Sequence, residues 1–162
     1  MTRVSPDFLR KLLPLVLLLV LIYTFFKKEL GRQHAPRFAG LQEQWIAAGI
    51  GLIIGFYDGF FGPGAGSFLV FLFVRLLGYD FLHASAAAKW VNTATNVAAL
   101  SLFIAKGHIW WHFVLVMALA NVLGSFLGTR MALRHGAGFV RGVFLLVVSA
   151  LILKTGADAF VR

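Results

Sequence analysis

The sequence predicts an all-α protein, a polytopic bundle of membrane helices that contains one broken or re-entrant helical hairpin. Three observations predict this fold class. The chain of 162 residues is 60% hydrophobic, with a mean hydropathy of +0.86, and only 13% of its residues are charged. A soluble domain carries about 25% charged residues to cover its surface. The apolar residues also fall in long runs, and five glycines crowd into one of these runs at 55–67.

The charged residues are unevenly distributed, and their positions argue against a nucleic-acid-binding surface. The net charge is +9 at pH 7, but most basic residues stand at the ends of apolar runs. That placement is typical of positive-inside orientation and headgroup anchoring, and it would also concentrate an anionic substrate. We therefore expect a lipid bilayer around the chain and no nucleic acid as partner. The basic residues concerned are Arg10, Lys11, Lys27, Lys28, Arg32, Arg37, Arg130, Arg134 and Arg141.

The first predicted element is a leading transmembrane helix. The apolar run Leu12–Phe26, extended back to Phe8, reaches the length of roughly 20 residues that a span needs. Pro14 falls in its first turns, where proline is tolerated. Charged residues rather than a small-residue cleavage site follow it, so we expect the helix to be retained. The polar stretch Lys27–Glu43 is predicted to be a cytoplasmic loop that completes a leading unit at 1–43.

An interrupted hairpin is predicted next, at 45–78. Five glycines, one proline and one carboxylate lie within the segment 55–67, and a plain lipid-facing helix does not tolerate that combination. We expect two helical arms, Trp45–Phe60 and Gly66–Leu77, joined by a non-helical tip at depth in the membrane.

Three spanning helices complete a predicted repeat unit at 44–162. Their expected ranges are 81–105, 110–133 and 138–160, with short turns at Lys106–His108 and Arg134–Gly138. If the polar loop and the Arg130–Arg141 region both face the cytoplasm, the hairpin begins and ends on that side. The unit then has an odd number of spans. Tandem duplication of such a unit gives an inverted repeat, which is the plan of many secondary transporters.

The hairpin tip carries the first candidate binding site. The second arm starts near Gly66, so its unpaired N–H groups hold the positive end of a helix dipole, which attracts anions. We predict that the tip binds the substrate, because glycine lets the backbone approach a ligand closely. A kinked helix packed against small-residue neighbours is the structural alternative. The predicted substrate-binding residues here are Gly62, Gly64, Gly66 and Ser67.

Asp58 is the carboxylate within the same segment. An acid at membrane depth is costly and usually functional. We predict that it carries a coupled proton or pairs with Lys89. The alternatives are a structural ion pair and a cap on the broken helix.

A polar stripe on the following helix forms the second candidate site. Lys89, Asn92 and Asn96 stand at i, i+3 and i+7, so they share one helical face. One ammonium and two amides are suited to an oxyanion with several acceptor oxygens. The stripe is therefore predicted to bind substrate, and interhelical polar packing is the alternative.

Other motifs are interpreted as structural. Gly124-x-x-x-Gly128 is the spacing of closely packed membrane helices. No pair of histidines stands at metal-ligand spacing with a carboxylate, so we assign no metal site and no cofactor. His83, His108, His112 and His135 lie near predicted helix ends, and His34 lies in the loop.

An enzyme is not expected, and no catalytic residue is assigned. Gly64-Ala-Gly66-Ser67 faintly suggests an intramembrane serine protease, but Phe68 stands where a glycine would be needed. No histidine lies mid-helix to act as the base. The absence of cysteine excludes disulfides, thiolate metal sites and cysteine nucleophiles.

The residues of both candidate sites fall in two motifs that resemble a known family. They are Gly55-Phe-Tyr-Asp58-Gly59-Phe-Phe-Gly62-Pro63-Gly64-Ala-Gly66-Ser67-Phe and Ala86-Ala-Ala-Lys89-x-x-Asn92-x-x-Thr95-Asn96. Their order and spacing resemble the second repeat of the sulfite exporter TauE/SafE family, also called the 4-toluene sulfonate uptake permease family. The resemblance continues through Gly124–Arg130 and covers roughly Phe8 to the C-terminus. It implies transport of sulfite, sulfoacetate or related small organic anions across the bacterial inner membrane by a multi-pass protein, with proton-linked or gradient-driven flux.

The resemblance covers one repeat, whereas family members usually have two. The first glycine-rich hairpin and its matching lysine/asparagine helix have no counterpart in this sequence. If the substrate site lies between repeats, the chain carries half of it, and a homodimer or a partner half-transporter supplies the rest. The alternatives are a non-transporting membrane subunit and a truncated, inactive remnant of such a permease.

Overall fold

A computed structural model describes residues 6–60, 62–105, 107 and 111–160, and the regular secondary structure in these ranges is entirely helical. The prediction of an all-α membrane helix bundle is confirmed. Five elements follow the chain: α1 Pro6–Phe26, α2 Leu41–Phe60, α3 Ala65–Leu72, α4 Phe81–Ala105 and α5 Trp111–Phe160. A π-helical turn, Phe73–Leu77, continues α3.

Some residues named in the sequence analysis lie outside the described part of the chain. They are Phe61 of the hairpin tip, Lys106 and His108 of a predicted turn, Trp110 at a predicted helix start, and the side chains of Phe8, Arg10, Lys11 and His112. The division into a leading unit at 1–43 and a repeat unit at 44–162 stays a prediction.

The longest element, α5, is two helices joined at a sharp break. Gly136 has φ 73° and ψ −170°, a conformation outside the helical region that favours glycine. Within α5, the stretch Val116–Ala159 contains an 18-residue window with a mean hydropathy of 2.2 and satisfies the length and composition of a membrane span. The parts of α5 before and after Gly136 each have roughly the 20 residues that a single span requires. The five-residue turn expected at Arg134–Gly138 is thus reduced to one glycine.

The core is small and lies in two contacts. In one, Leu17 and Val20 of α1 are buried together with Phe144 and Val148 in the second half of α5. In the other, the buried face of α3 and the π-helical turn packs against small residues of α4. The residues of this second contact are Ala65, Leu69, Phe73, Leu77, Phe81, Ala84 and Ala88. Small side chains on α4 let the two helices approach closely.

The connection between α1 and α2 is fastened to the turn before α4. Ala35 N–H donates to Gly78 O at 3.0 Å, and Arg37 N–H donates to Leu77 O at 2.9 Å. Gly78 has φ 78°, and a Cβ atom placed on it would lie 2.2 Å from Ala35 O. The close approach therefore requires glycine at this position.

A single arginine ties the end of α1 to α5. The Arg141 guanidinium donates hydrogen bonds to the carbonyl oxygens of Thr24, at 2.6 Å, and Lys27, at 3.1 Å, and also to that of Lys28. These carbonyls belong to the last turn of α1 and the residues just after it, where the helix supplies no donors. Arg141 therefore caps α1 from another helix.

Candidate functional site

The hairpin tip is a short glycine-rich turn between α2 and α3. Gly62 has φ 70° and Gly64 has φ 87°, so both occupy the left-handed region that glycine adopts without strain. The Tyr57 hydroxyl donates to Pro63 O at 2.9 Å, and its ring meets that of Phe68 edge-on with centroids 5.7 Å apart. The turn is therefore held by a side chain from each arm.

The first turn of α3 presents backbone amides beside the tip. Ala65 N–H donates to Gly62 O at 3.3 Å, and Phe68 N–H donates to Gly64 O at 2.9 Å. The intervening amides, those of Gly66 and Ser67, lie in the first turn, where the helix itself supplies no acceptors. A Cβ atom placed on Gly66 would meet nothing within 4 Å among the described residues, so there is open space next to these amides.

Two glycines bring α2 against α4. A Cβ atom placed on Gly51 would lie 3.3 Å from Cγ1 of Val91, and one placed on Gly55 would lie 3.2 Å from Cγ2 of Thr95. From the first contact to the second, the residue number rises by four on both helices, so α2 and α4 lie side by side and parallel. The sequence analysis did not assign a packing role to this pair of glycines.

The predicted stripe on α4 lies beside this contact and reaches towards α5. Lys89 Nζ donates to Thr129 Oγ1 at 3.1 Å. Asn92 is half-buried and Asn96 is exposed. With 3.6 residues per turn, the stripe is rotated from the face that carries Val91 and Thr95. Its polar groups are thus available to a ligand on the side where α4 meets α5.

Depth along the helix axis relates the tip to this stripe. From the tip, α3 and the π-helical turn run back for about 20 Å to the start of α4. Because α4 returns antiparallel to them, and Gly55 of α2 lies level with Thr95, the tip lies level with the middle of α4, at or beyond Asn96. Of the stripe, Asn96 is therefore nearest to the tip in depth and Lys89 is furthest from it.

Asp58 does not lie next to Lys89. The parallel contact of α2 with α4 places Asp58 about 13 Å further along the axis than Lys89, since a helix rises 1.5 Å per residue. Among the described residues no ion pair joins the two side chains. The hypothesis of direct pairing between them is therefore wrong, and a proton-carrying role for the half-buried Asp58 stays a prediction.

Two residues in contact with the predicted site, Tyr57 and Thr129, were not predicted from the sequence. Tyr57, which secures the tip, reads in the sequence as one more aromatic in an apolar run. Thr129 belongs to a polar series on α5 in which small polar side chains recur every four residues. The signal that would have revealed it is this spacing, in an otherwise apolar helix, of Asn121, Ser125 and Thr129.

The motif Gly124-x-x-x-Gly128 has no partner among the described residues. Cβ atoms placed on Gly124 and Gly128 would meet nothing within 4 Å. The prediction of close packing at these glycines is therefore wrong within this chain. They lie on the first half of α5, where Met117, Val122 and Phe126 are also more than 60% exposed.

Comparison with known proteins gives a consistent family match. Residues 1–155 match the family model described as sulfite exporter TauE/SafE. The probable membrane transporter protein YfcA of Escherichia coli strain K12 is 36% identical over 157 residues, which are 96% of this chain and 57% of that protein.

Two further relatives show the same coverage. The probable membrane transporter protein ORF9 of a Sinorhizobium species is 34% identical over 97% of this chain and 59% of its own length. A probable membrane transporter protein of Haemophilus influenzae is 34% identical over 92% of this chain and 58% of its own length. The chain thus spans little more than half the length of these relatives. No solved structure matches it.

Proposed function

Since this chain belongs to the sulfite exporter TauE/SafE family, we propose that it is a membrane permease, or half of one, for small anions such as sulfite, sulfonates or related organic anions. The relatives are named as probable membrane transporters, which indicates a transporter rather than an enzyme. The observation that carries the substrate class is Lys89, an exposed lysine in an otherwise apolar stretch of α4 that is hydrogen-bonded to Thr129 of α5.

The anion would bind between the stripe on α4 and the tip of the hairpin. The Lys89 ammonium neutralises one negative charge, and Asn92 and Asn96 donate amide hydrogen bonds to the remaining oxygens. Thr129 holds Lys89 in the empty state and releases it when an oxyanion offers a stronger, charged acceptor. The first-turn amides of α3 approach the same anion from the opposite side.

Asp58 would carry the coupled proton. It is a half-buried carboxylate near the tip, and no side-chain hydrogen bond joins it to the other described residues. A carboxylate at membrane depth is costly and usually functional, which supports a role in coupling. Proton uptake at Asp58 would then accompany anion movement past Lys89, which lies about 13 Å away along the axis.

A second copy of the chain would complete the site. Lys89 of the stripe is hydrogen-bonded to Thr129 in the first half of α5, and the nearby Gly124 and Gly128 are spaced for close helix contact. A homodimer would bring two such half-sites together in the bacterial inner membrane as a multi-pass assembly. A partner half-transporter on the same face is the other arrangement.

Flux measurements with purified protein test the proposal. Wild-type chain reconstituted in liposomes is expected to move labelled sulfite, and Lys89→Ala should lower the rate at least tenfold with normal insertion. Lys154→Ala is the matched control, because Lys154 is an exposed lysine in the second half of α5. Flux in Lys89→Ala equal to that of the control would remove the lysine from the mechanism.

A non-transporting membrane subunit is the second candidate, and the unpartnered glycines of α5 favour it. In that case Gly124 and Gly128 would pack against another protein, and the stripe on α4 would serve the same contact. The flux assay separates the two candidates. Assembly with a partner without any transport of sulfite or a panel of sulfonates would support the subunit.

A further inference from the structure

A cluster of two histidines and an aspartate forms where the loop after α1 meets the start of α4. His34, Asp80 and His83 each offer one ligand atom, and these three atoms lie within 4.8 Å of one another. The rings of His34 and His83 stack with centroids 4.1 Å apart. This cluster lies at the start of α4, about 9 Å along the helix axis before Lys89.

The helix start positions two members of the cluster. Asp80 immediately precedes α4 and accepts a hydrogen bond from His83 N–H at 2.7 Å, as an N-terminal cap does. The same carboxylate contacts His83 Nδ1 through both oxygens, at 2.8 and 2.9 Å. Asp80 is buried, so its orientation is fixed by the fold.

The loop supplies the third member. His34 is exposed and lies between the rings of His83 and Tyr79, the latter 5.2 Å away by centroid. Backbone hydrogen bonds at Ala35 and from Phe81 N–H to Gly31 O hold the loop on both sides of His34. The imidazole is thus kept beside Asp80.

We propose that His34, Asp80 and His83 bind one divalent transition-metal ion of the Zn²⁺ type. Two imidazoles and one carboxylate, with the remaining position open to water, are a donor set that zinc accepts. Ligand atoms on a tetrahedral zinc ion stand about 3.3 Å apart, given metal–ligand distances of about 2.0–2.1 Å. The ligand atoms of Asp80 and His83 are already near that separation. Rotation of the His34 ring would bring its ligand atom to a similar distance from them.

The surroundings are compatible with a cation in spite of the basic loop. Arg32, the nearest arginine before His34, is paired with Glu29 at 3.2 Å. Glu43 accepts a hydrogen bond from the Tyr79 hydroxyl and adds a second carboxylate close by. Both histidines are more than a third exposed, so an ion can enter from solvent without opening the fold.

The metal would tie the loop after α1 to the helix that carries Lys89. This role is independent of the proposed transport function, because it concerns the fastening of two segments outside the helices' apolar parts. Sequence spacing could not reveal the site, since His34 lies far from Asp80 and His83 in the chain and only the fold brings it there.

Metal titration of the purified full chain tests the site. The chain, in detergent, without a polyhistidine tag and stripped with chelator, is titrated with Co²⁺, whose visible absorption reports its coordination. We expect saturable binding of one equivalent, displaced by Zn²⁺. Zn²⁺ should also raise the Tm of the wild type, because a ligand that binds only the folded state stabilises it.

Three variants decide the outcome. His34→Gln and His83→Gln should weaken binding at least tenfold, and His34→Gln should retain the wild-type helix content because His34 is an exposed loop residue. His135→Gln is the matched control, since His135 contacts the backbone oxygen of Met131 at 2.9 Å, away from the cluster. Absence of saturable binding by the wild type, binding that survives His34→Gln, or equal loss in the control would each overturn the proposal.

Discussion

The chain contains two pairs of glycines with the same spacing in opposite surroundings. Gly51 and Gly55 on α2 lie against Val91 and Thr95, where an added Cβ atom would come within 3.3 Å of a side chain. Gly124 and Gly128 on α5 have the same i, i+4 spacing and face open space within the described chain. One pair closes a helix contact, and the other leaves a helix face uncovered.

The difference shows what a glycine spacing can and cannot predict. It marks a helix face on which a backbone can be approached closely, but the rest of the fold decides whether a neighbour stands there. The packed pair lies within the hairpin region, which is buried against α4. The uncovered pair lies on the helix that carries Thr129, next to the candidate anion site. The uncovered face is therefore the one on which the proposed second copy would pack.

The largest expected effect comes from replacing one glycine of each pair with leucine. Gly55→Leu should destabilise the folded chain by about 3 kcal/mol, because the side chain would force α2 away from Thr95. Gly128→Leu should leave the stability of the single chain within about 0.5 kcal/mol of wild type, as expected for an uncovered site. Thermal unfolding of monodisperse protein in detergent measures both. Equal losses would show that the two pairs are packed alike.

A smaller effect is expected from Arg141, which fastens the end of α1 to the second half of α5. Arg141→Ala removes a guanidinium that donates to three carbonyl groups at the end of α1, and should cost about 2–3 kcal/mol. Arg134→Ala is the control, because Arg134 is exposed on the uncovered half of α5. Unfolding midpoints compare the two, and a drop confined to Arg134→Ala would contradict the assignment of Arg141 as the cap.

The smallest expected effect depends on pH and concerns the turn before α4. Burial, together with the hydrogen bond to Glu43 and its charge, raises the pKa of Tyr79 from 10.0 to about 12. Folding therefore favours the neutral phenol, and this stabilisation is complete below pH 10 and is lost as the pH rises through 12. The contribution should be about 1 kcal/mol or less, because the partly exposed side chain is screened by solvent.

Tyr79→Phe checks this effect against the wild type. The variant should be slightly less stable at pH 8, and the stability difference between the two proteins should shrink between pH 10 and pH 12. Chemical unfolding at several pH values in this range measures the difference. A gap that widens with rising pH would contradict the sign derived from the raised pKa of Tyr79.

Much of the fold could be predicted from the sequence. The length of the apolar runs, the charges at their ends and the cluster of glycines predicted a helical membrane bundle with a broken hairpin, because each acts locally. The break at Gly136 was predicted as a longer turn, since composition does not reveal that one left-handed glycine is enough. The partners of Arg141 and Gly51 could not be predicted, because they lie on distant helices.

The candidate site was predictable only in part. Lys89, Asn92 and Asn96 share a face because helix geometry requires it, and their chemistry follows from residue type. Thr129, the partner of Lys89, could not be assigned from sequence because it depends on how α4 meets α5. Direct pairing of Asp58 with Lys89 was wrongly predicted for the same reason, because the sequence does not show that the two residues lie at different depths.

Cross-linking through one introduced cysteine tests most directly whether the uncovered face of α5 meets a second copy. The chain contains no cysteine, so Gly124→Cys adds a single reporter on that face, and Leu153→Cys, 75% exposed on the second half of α5, is the control. In membranes under mild oxidation, Gly124→Cys should form a disulfide-linked dimer and Leu153→Cys should not. A monomer for Gly124→Cys, or equal cross-linking of both variants, would contradict a permease completed by a second copy at this face.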